Sequence, residues 1–184
     1  MTSNYINELY ITKSFQKNDV FANISFKESE FKFPFHLQTP MLMIGTGSGI
    51  APFISFLQEF DSFKSKNPDM IFETYLIFGS MNKNNDFIFE KELEEFKKKG
   101  VLKEYFTAFS RDQDKKFYVQ DALGIRFDKE KIVNLIIKKV MHVYVCGSVR
   151  MGNSIKEKLK ELLGDENYEK MIKNKQLYLE TWGN

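Results

Sequence analysis

Gly45-Thr46-Gly47-Ser48-Gly49-Ile50-Ala51-Pro52 is a glycine-rich turn. It follows the apolar run Met41-Leu42-Met43-Ile44 and precedes Ile50, Phe53, Ile54, Leu57 and Phe60 at helical spacing. Glycines there let the backbone approach a phosphate, and a helix N-terminus offers free N–H groups and a positive dipole end. Ser48 adds a hydroxyl, and Pro52 suits a helix's first turn. The third glycine comes one residue too early for G-x-G-x-x-G, and the Gly-Lys-Ser/Thr of a P-loop is absent. A tight turn without a ligand has the same letters. Further on, Ser110, Arg111, Lys116 and Tyr118 combine two cations with two hydroxyls. Such a set holds a dianionic phosphate such as a ribose 2′-phosphate; a solvated charged loop is the alternative. The preceding strand ends Phe78-Gly79-Ser80-Met81. It lacks the acid that takes a ribose 2′-OH in NAD sites. Cys146 closes an apolar strand and reads equally as a small buried hydrophobe. Trp182 lies near the C-terminus, where an indole also serves as a core cap.

These residues recur after strand-like segments. The pattern predicts strands at 41–44, 71–78, 105–109, 142–146 and 176–182, and helices over 50–63, 86–99, 129–139, 154–163 and 167–173. Alternating β and α units imply a doubly wound, mostly parallel five-stranded sheet with helices on both faces. Ligands of such sheets lie at the carboxyl ends of the strands. Gly45–Gly49, Gly79-Ser80, Ser110-Arg111, Cys146-Gly147-Ser148 and Glu180-Thr181-Trp182 would therefore share one edge. The first 38 residues differ. They offer a helix-like start at Tyr5–Tyr10, then short alternating pieces, Val20–Phe26 and Phe31-Lys32-Phe33-Pro34.

The chain has 184 residues, 42% of them hydrophobic and 28% charged, enough for one substantial core. Twenty-seven Lys and Arg against 25 Asp and Glu leave a net charge of +2. That balance argues against a strongly basic nucleic-acid binder. A single Cys rules out an internal disulfide framework, and two His are few for a metal site, so none is expected. The sequence has neither an apolar run long enough for a membrane span nor an apolar signal core at its start.

Taken together, four motifs resemble the ferredoxin–NADP reductase-like flavoproteins, and the diflavin reductases most. Gly45–Phe53 is similar to their GPGTGIAPF turn. Ala108–Gln113 with Lys116–Gln120 resembles AFSREQ…KVYVQ, His142–Gly147 resembles HIYVCG, and Tyr178–Trp182 resembles a Y-x-D/E-x-W terminus. The nearest groups are NADPH–cytochrome P-450 reductase and the NADPH-dependent diflavin oxidoreductases of iron–sulfur assembly. The resemblance implies an NADPH-binding domain over 39–184, preceded at 1–38 by the remnant of an FAD-binding barrel. Thr2-Ser3-Asn4-Tyr5-Ile6 resembles the tail of its pyrophosphate motif. FAD and FMN would belong to domains joined in cis in a longer protein, and this chain is not expected to hold them.

The implied roles follow residue by residue. Gly45, Gly47, Ser48 and Gly49 would cradle the pyrophosphate, with Arg150 also on the cofactor. Ser110, Arg111, Lys116, Tyr118 and Gln120 would take the adenosine 2′-phosphate end. Cys146 would sit beside the nicotinamide, Glu180 would stabilise its growing positive charge, and Trp182 would stack on the flavin and gate hydride transfer. Electrons would run from NADPH to FAD to FMN and then to a protein acceptor, a cytochrome P-450, another haemoprotein or an iron–sulfur assembly protein. That expectation places the chain on the cytoplasmic side, cytosolic or anchored to the endoplasmic reticulum through another segment, with no membrane or nucleic-acid contact of its own. There are three departures from the family: Ser80-Met81 replaces a Cys-Arg pair, with Lys83 a candidate substitute; Ser148 stands for Asp; Glu180 stands for Asp. A stand-alone NADP-binding module without redox chemistry, or a piece of a single-flavin reductase, are the alternatives.

Overall fold

A computed structural model of the chain describes residue 29 and residues 31–34 and 36–183. The expectations for residues 1–28, including the flavin-motif tail at Thr2-Ser3-Asn4-Tyr5-Ile6 and the strand-like Val20–Phe26, lie outside the described residues. Five strands form one sheet: β1 (Met41–Thr46), β2 (Thr74–Ser80), β3 (Glu104–Phe109), β4 (His142–Ser148) and β5 (Leu177–Trp182). Their order is β3-β2-β1-β4-β5 and every pairing is parallel. The order reverses beside β1, as expected of a doubly wound sheet.

The apolar runs read as they do because the central strands are buried on both faces. Leu42 and Ile44 pack with Leu123, Ile136, Ile155 and Leu159 on one face. Met41 and Met43 pack with Phe53, Leu57, Phe60 and Leu93 on the other. The second face is covered by α1 (Ala51–Lys66), which a 3₁₀ turn at Gly47–Ile50 introduces, and by α3 (Glu90–Lys98). A single turn, α2 (Lys83–Asp86), precedes α3. The first face carries α4 (Val119–Arg126), α5 (Lys129–Val133), α6 (Val149–Leu163) and α7 (Asp165–Lys173). No helix among the described residues is long and apolar enough to cross a membrane.

Several boundaries differ from the sequence reading. β2 starts at Thr74 rather than 71, because Ile71 is solvent-facing at 75% exposure. The helix expected over 86–99 is split, since the Asp86 carboxylate caps the Asn82 N–H at 2.8 Å and closes α2 first. The helix expected over 129–139 passes from α5 into a π turn at Asn134–Lys138. α6 starts five residues earlier than expected, where the Ser148 hydroxyl accepts the Met151 N–H at 3.2 Å. α4 has no counterpart in the sequence reading.

At the sheet end away from the glycine turn, Glu73 bridges Lys103 at 3.0 Å and Lys139 at 2.9 Å. Burial works to raise its carboxyl pKa, but the two ammonium groups outweigh it and hold it below the usual range.

Candidate functional site

The carboxyl ends of the strands open onto a groove of about 990 Å³. Its floor is the turn from β1 into α1. Gly47 sits at φ 55°, a left-handed conformation that glycine adopts without cost. A Cβ on Gly49 would lie 2.2 Å from the Cys146 carbonyl oxygen. Only a glycine there lets the turn lie flat against β4. Gly45 and Gly49 thus shape the turn from beneath, while Gly47 and Ser48 line the groove itself. The N-terminal ends of α1 and α6 both meet the groove, and neither first turn carries an acid. Their free N–H groups and dipoles make this edge attractive to anions. Arg150, exposed in the first turn of α6, adds a full positive charge.

The ends of β2 and β3 run on side by side as a second wall. Ser110 donates its N–H to the Ser80 carbonyl at 3.0 Å, and Arg111 donates its own to Met81 at 2.9 Å. The Asp112 carboxylate then accepts from Asn82 Nδ2 at 3.0 Å and from the Lys83 N–H at 2.9 Å. These bonds latch the loop after β3 onto the turn after β2. Ser110, Tyr118 and Gln120 line the groove. Tyr118 is set at the start of α4, where the Asp121 carboxylate accepts its N–H at 2.9 Å. Arg111 is exposed and, among the described residues, makes no ion pair. Lys116 lies on the far side of the same loop, lining a smaller cleft of about 670 Å³ between α4 and α6. The Ser80 hydroxyl, at the groove wall, is buried and finds no hydrogen-bond partner among the described residues.

The third wall is the β4–β5 pair. Cys146 faces Glu180 and Ser148 faces Trp182 across the ladder. Partners in register two residues apart share one face of the sheet, so thiol, carboxylate and indole stand on one side at one end. Cys146 is 2% exposed, and its thiol pKa is pushed up to about 11, first by burial and then by the nearby Glu180 charge. Glu180 is exposed, and its Oε2 accepts from the Ser29 hydroxyl at 3.5 Å. Trp182 lines the groove at 47% exposure. His142 stands at the opposite end of β4, its Nδ1 buried without a partner among the described residues and its pKa lowered by burial.

Motif spacing thus brings Gly47, Ser48, Ser110, Tyr118, Gln120, Arg150 and Trp182 to the groove, with Cys146 and Glu180 behind its β5 side. It leaves Arg111 and Lys116 on the outer loop. The apolar wall of Met81, Ile88 and Phe89, and the hydroxyls of Ser80, Ser148 and Ser154, also line the groove. Among them Ser80-Met81, after β2, and Ser148, after β4, carried a sequence signal; Ile88 and Phe89 lie in no motif.

Residues 43–157 match the model of the oxidoreductase NAD-binding domain. The chain is 44% identical over 138 residues to inducible nitric oxide synthase of Gallus gallus, covering 72% of this chain and 12% of the relative. It is 36% identical over 141 residues to NADPH–cytochrome P450 reductase of Bos taurus, covering 76% and 20% respectively. Against the Oryctolagus cuniculus NADPH–cytochrome P450 reductase it is 40% identical over 124 residues, 67% of this chain and 18% of that one. The chain spans a fifth or less of the length of these relatives.

Proposed function

The chain belongs to the oxidoreductase NAD-binding domain family, and on that footing we propose that it is the NADPH-binding part of a diflavin reductase. In that role the groove would hold NADPH as the hydride donor, and flavins bound elsewhere in the full protein would supply the chemistry that passes electrons on to a protein acceptor. The observation that carries this reading is the grouping of three chemistries at one groove and its borders. The glycine turn and the α1 terminus favour the pyrophosphate. Ser110, Tyr118 and Gln120, with Arg111 and Lys116 on the adjoining loop, suit the 2′-phosphate end. Cys146, Glu180 and Trp182 stand in register at the other end. The unpartnered Ser80 hydroxyl at the wall gives a bound nucleotide one more hydrogen bond to satisfy.

At the β5 end the division of labour follows from burial. The Cys146 thiol stays neutral, a small polar atom with no charge to compete for the nicotinamide. The exposed Glu180 carboxyl group stands where positive charge would grow as hydride leaves. Trp182 offers an aromatic face against which a ring can stack. A module that only stored or sensed nucleotide would have no use for these three side chains, which is why the reductase reading is preferred to a redox-silent one.

The test is a titration of the chain with NADPH, NADH and adenosine 2′,5′-bisphosphate, repeated for Arg111→Ala and Lys116→Ala. A charge-assisted bond to the 2′-phosphate is worth about 1.5–3 kcal/mol, so removing one should weaken NADPH by roughly one to two decades and leave NADH nearly unchanged. Equal binding of phosphorylated and unphosphorylated nucleotides by the parent chain would end this assignment.

A further inference from the structure

Among the described residues β5 is an edge strand, paired only with β4, yet it carries Glu180 and Trp182. Edge strands with one partner open more readily than central ones. What holds this one differs on its two faces. On one, a Cβ on Gly152 of α6 would lie 2.9 Å from Thr181 Cγ2, so the helix backbone lies directly against the strand. On the other face are Tyr178, Glu180 and Trp182, and there the grip comes from Tyr144. Its ring stacks on Tyr178 with centroids 4.5 Å apart and planes 7° apart. Its hydroxyl donates to the Lys32 carbonyl at 2.8 Å. Phe31 meets the same ring edge-on at 5.3 Å. Ser29, in the same incoming stretch, donates to Glu180. Tyr144 is fully buried, and its hydroxyl bond is a polar link between this stretch and β4.

We propose that Tyr144 is a positioning residue for the edge strand. Clamped between the Lys32 carbonyl and the Tyr178 ring, it fixes where Glu180 and Trp182 stand, so that the stretch entering the sheet sets the geometry of the β5 end of the groove. The geometry favours such coupling because Glu180 is only two residues beyond Tyr178, about 7 Å along an extended strand, and points to the same face. A tilt or slip of β5 at Tyr178 is therefore passed directly to Glu180 and Trp182. The chemical consequence rests on the reading of those two residues given above; the mechanical claim does not.

The experiment is hydrogen exchange on the chain, followed strand by strand, with acrylamide quenching of Trp182 as a second readout. Trp182 is the sole tryptophan, so its emission reports β5 alone. Tyr144→Phe keeps the ring stack and loses the bond to Lys32. It should speed exchange of the 177–182 amides about fivefold, the equivalent of one net hydrogen bond, and raise Trp182 quenching, with β1 and β2 within twofold of the parent. Tyr144→Leu, which also loses the stack, should go further. Tyr178→Phe, which keeps the stack, should match the parent. The proposal is overturned if Tyr144→Phe leaves β5 exchange within twofold, or speeds β1 and β2 as much as β5. Adenosine 2′,5′-bisphosphate should bind the parent and Tyr144→Phe alike, because the loop after β3 is remote from Tyr144. Its failure to bind the parent would remove the nucleotide reading while the exchange pattern still decides the role of Tyr144.

Discussion

Burial restrains the Cys146 thiol as a nucleophile. Removing the thiol from water disfavours its anion, and the Glu180 carboxylate across the ladder adds to the effect. Because the folded pKa, about 11, lies above the ordinary value of 9.0, the neutral thiol persists through neutral pH, and the anion appears only well into the alkaline range. Iodoacetamide labelling should therefore be slow at pH 8 and climb with pH toward about 11. The chain's single cysteine makes the readout unambiguous. Glu180→Gln should shift the inflection downward but leave it above 9, since burial is the larger cause. A labelling profile centred at the ordinary thiol value in the parent would contradict this account.

At the scale of the elements, the turn from β1 into α1 holds Gly49, which has the tightest surroundings among the described glycines. A Cβ at Gly49 would collide with the Cys146 carbonyl, and backbone cannot move aside as a flexible side chain can. Gly49→Ala should cost about 3 kcal/mol in urea unfolding, the upper part of the range for overpacking, and should pull the turn off β4. Gly47→Ala meets open space and should cost only about 1–2 kcal/mol, the price of its left-handed backbone. Equal costs would show that crowding does not set this turn. This part of the fold was legible because strands buried on both faces leave continuous apolar runs, and a glycine cluster between such a run and a helix has few other uses. α4 was not legible. It has eight residues, a glycine inside it, and a start fixed by Asp121 and by packing of Val119 against Gly79, neither of which shows as periodicity. The start of α6 was hidden because its first turn contains Gly152, a poor helix former, and its cap, Ser148, also ends a strand. At the site, the motif order carried the groove lining. The placement of Arg111 and Lys116 on the outer loop depends on Asp112 reaching Asn82 and Lys83, a long-range pairing that local spacing does not encode.

At the scale of the whole molecule, the change in sequence character near residue 38 suggests a boundary, with the nucleotide-binding part beginning at 39. The packing gives that boundary a physical test. Phe33 lies 4.3 Å from Phe56 and 5.4 Å from Phe60, and Phe31 lies 5.9 Å from both Phe53 and Phe56. These rings join the core on the α1 face of the sheet. Their contribution is apolar burial, which for a fully covered Phe amounts to roughly 1.5–3 kcal/mol. Both Phe31 and Phe33 are only partly covered, so the pair should contribute about 2–4 kcal/mol together. A chain beginning at residue 39 would lose this and uncover Phe56 and the Tyr144 hydroxyl. It should melt lower than a chain beginning at residue 29, bind more of a hydrophobic dye, and show faster exchange in β5 before any other strand, since the grip of Lys32 on Tyr144 is lost at the same cut. Both chains should still bind adenosine 2′,5′-bisphosphate, because the loops after β2 and β3 make no use of residues 29–34. If the two chains melt together and β5 exchanges alike in both, the aromatic contacts of Phe31 and Phe33 are passive and the boundary belongs where the sequence changes character.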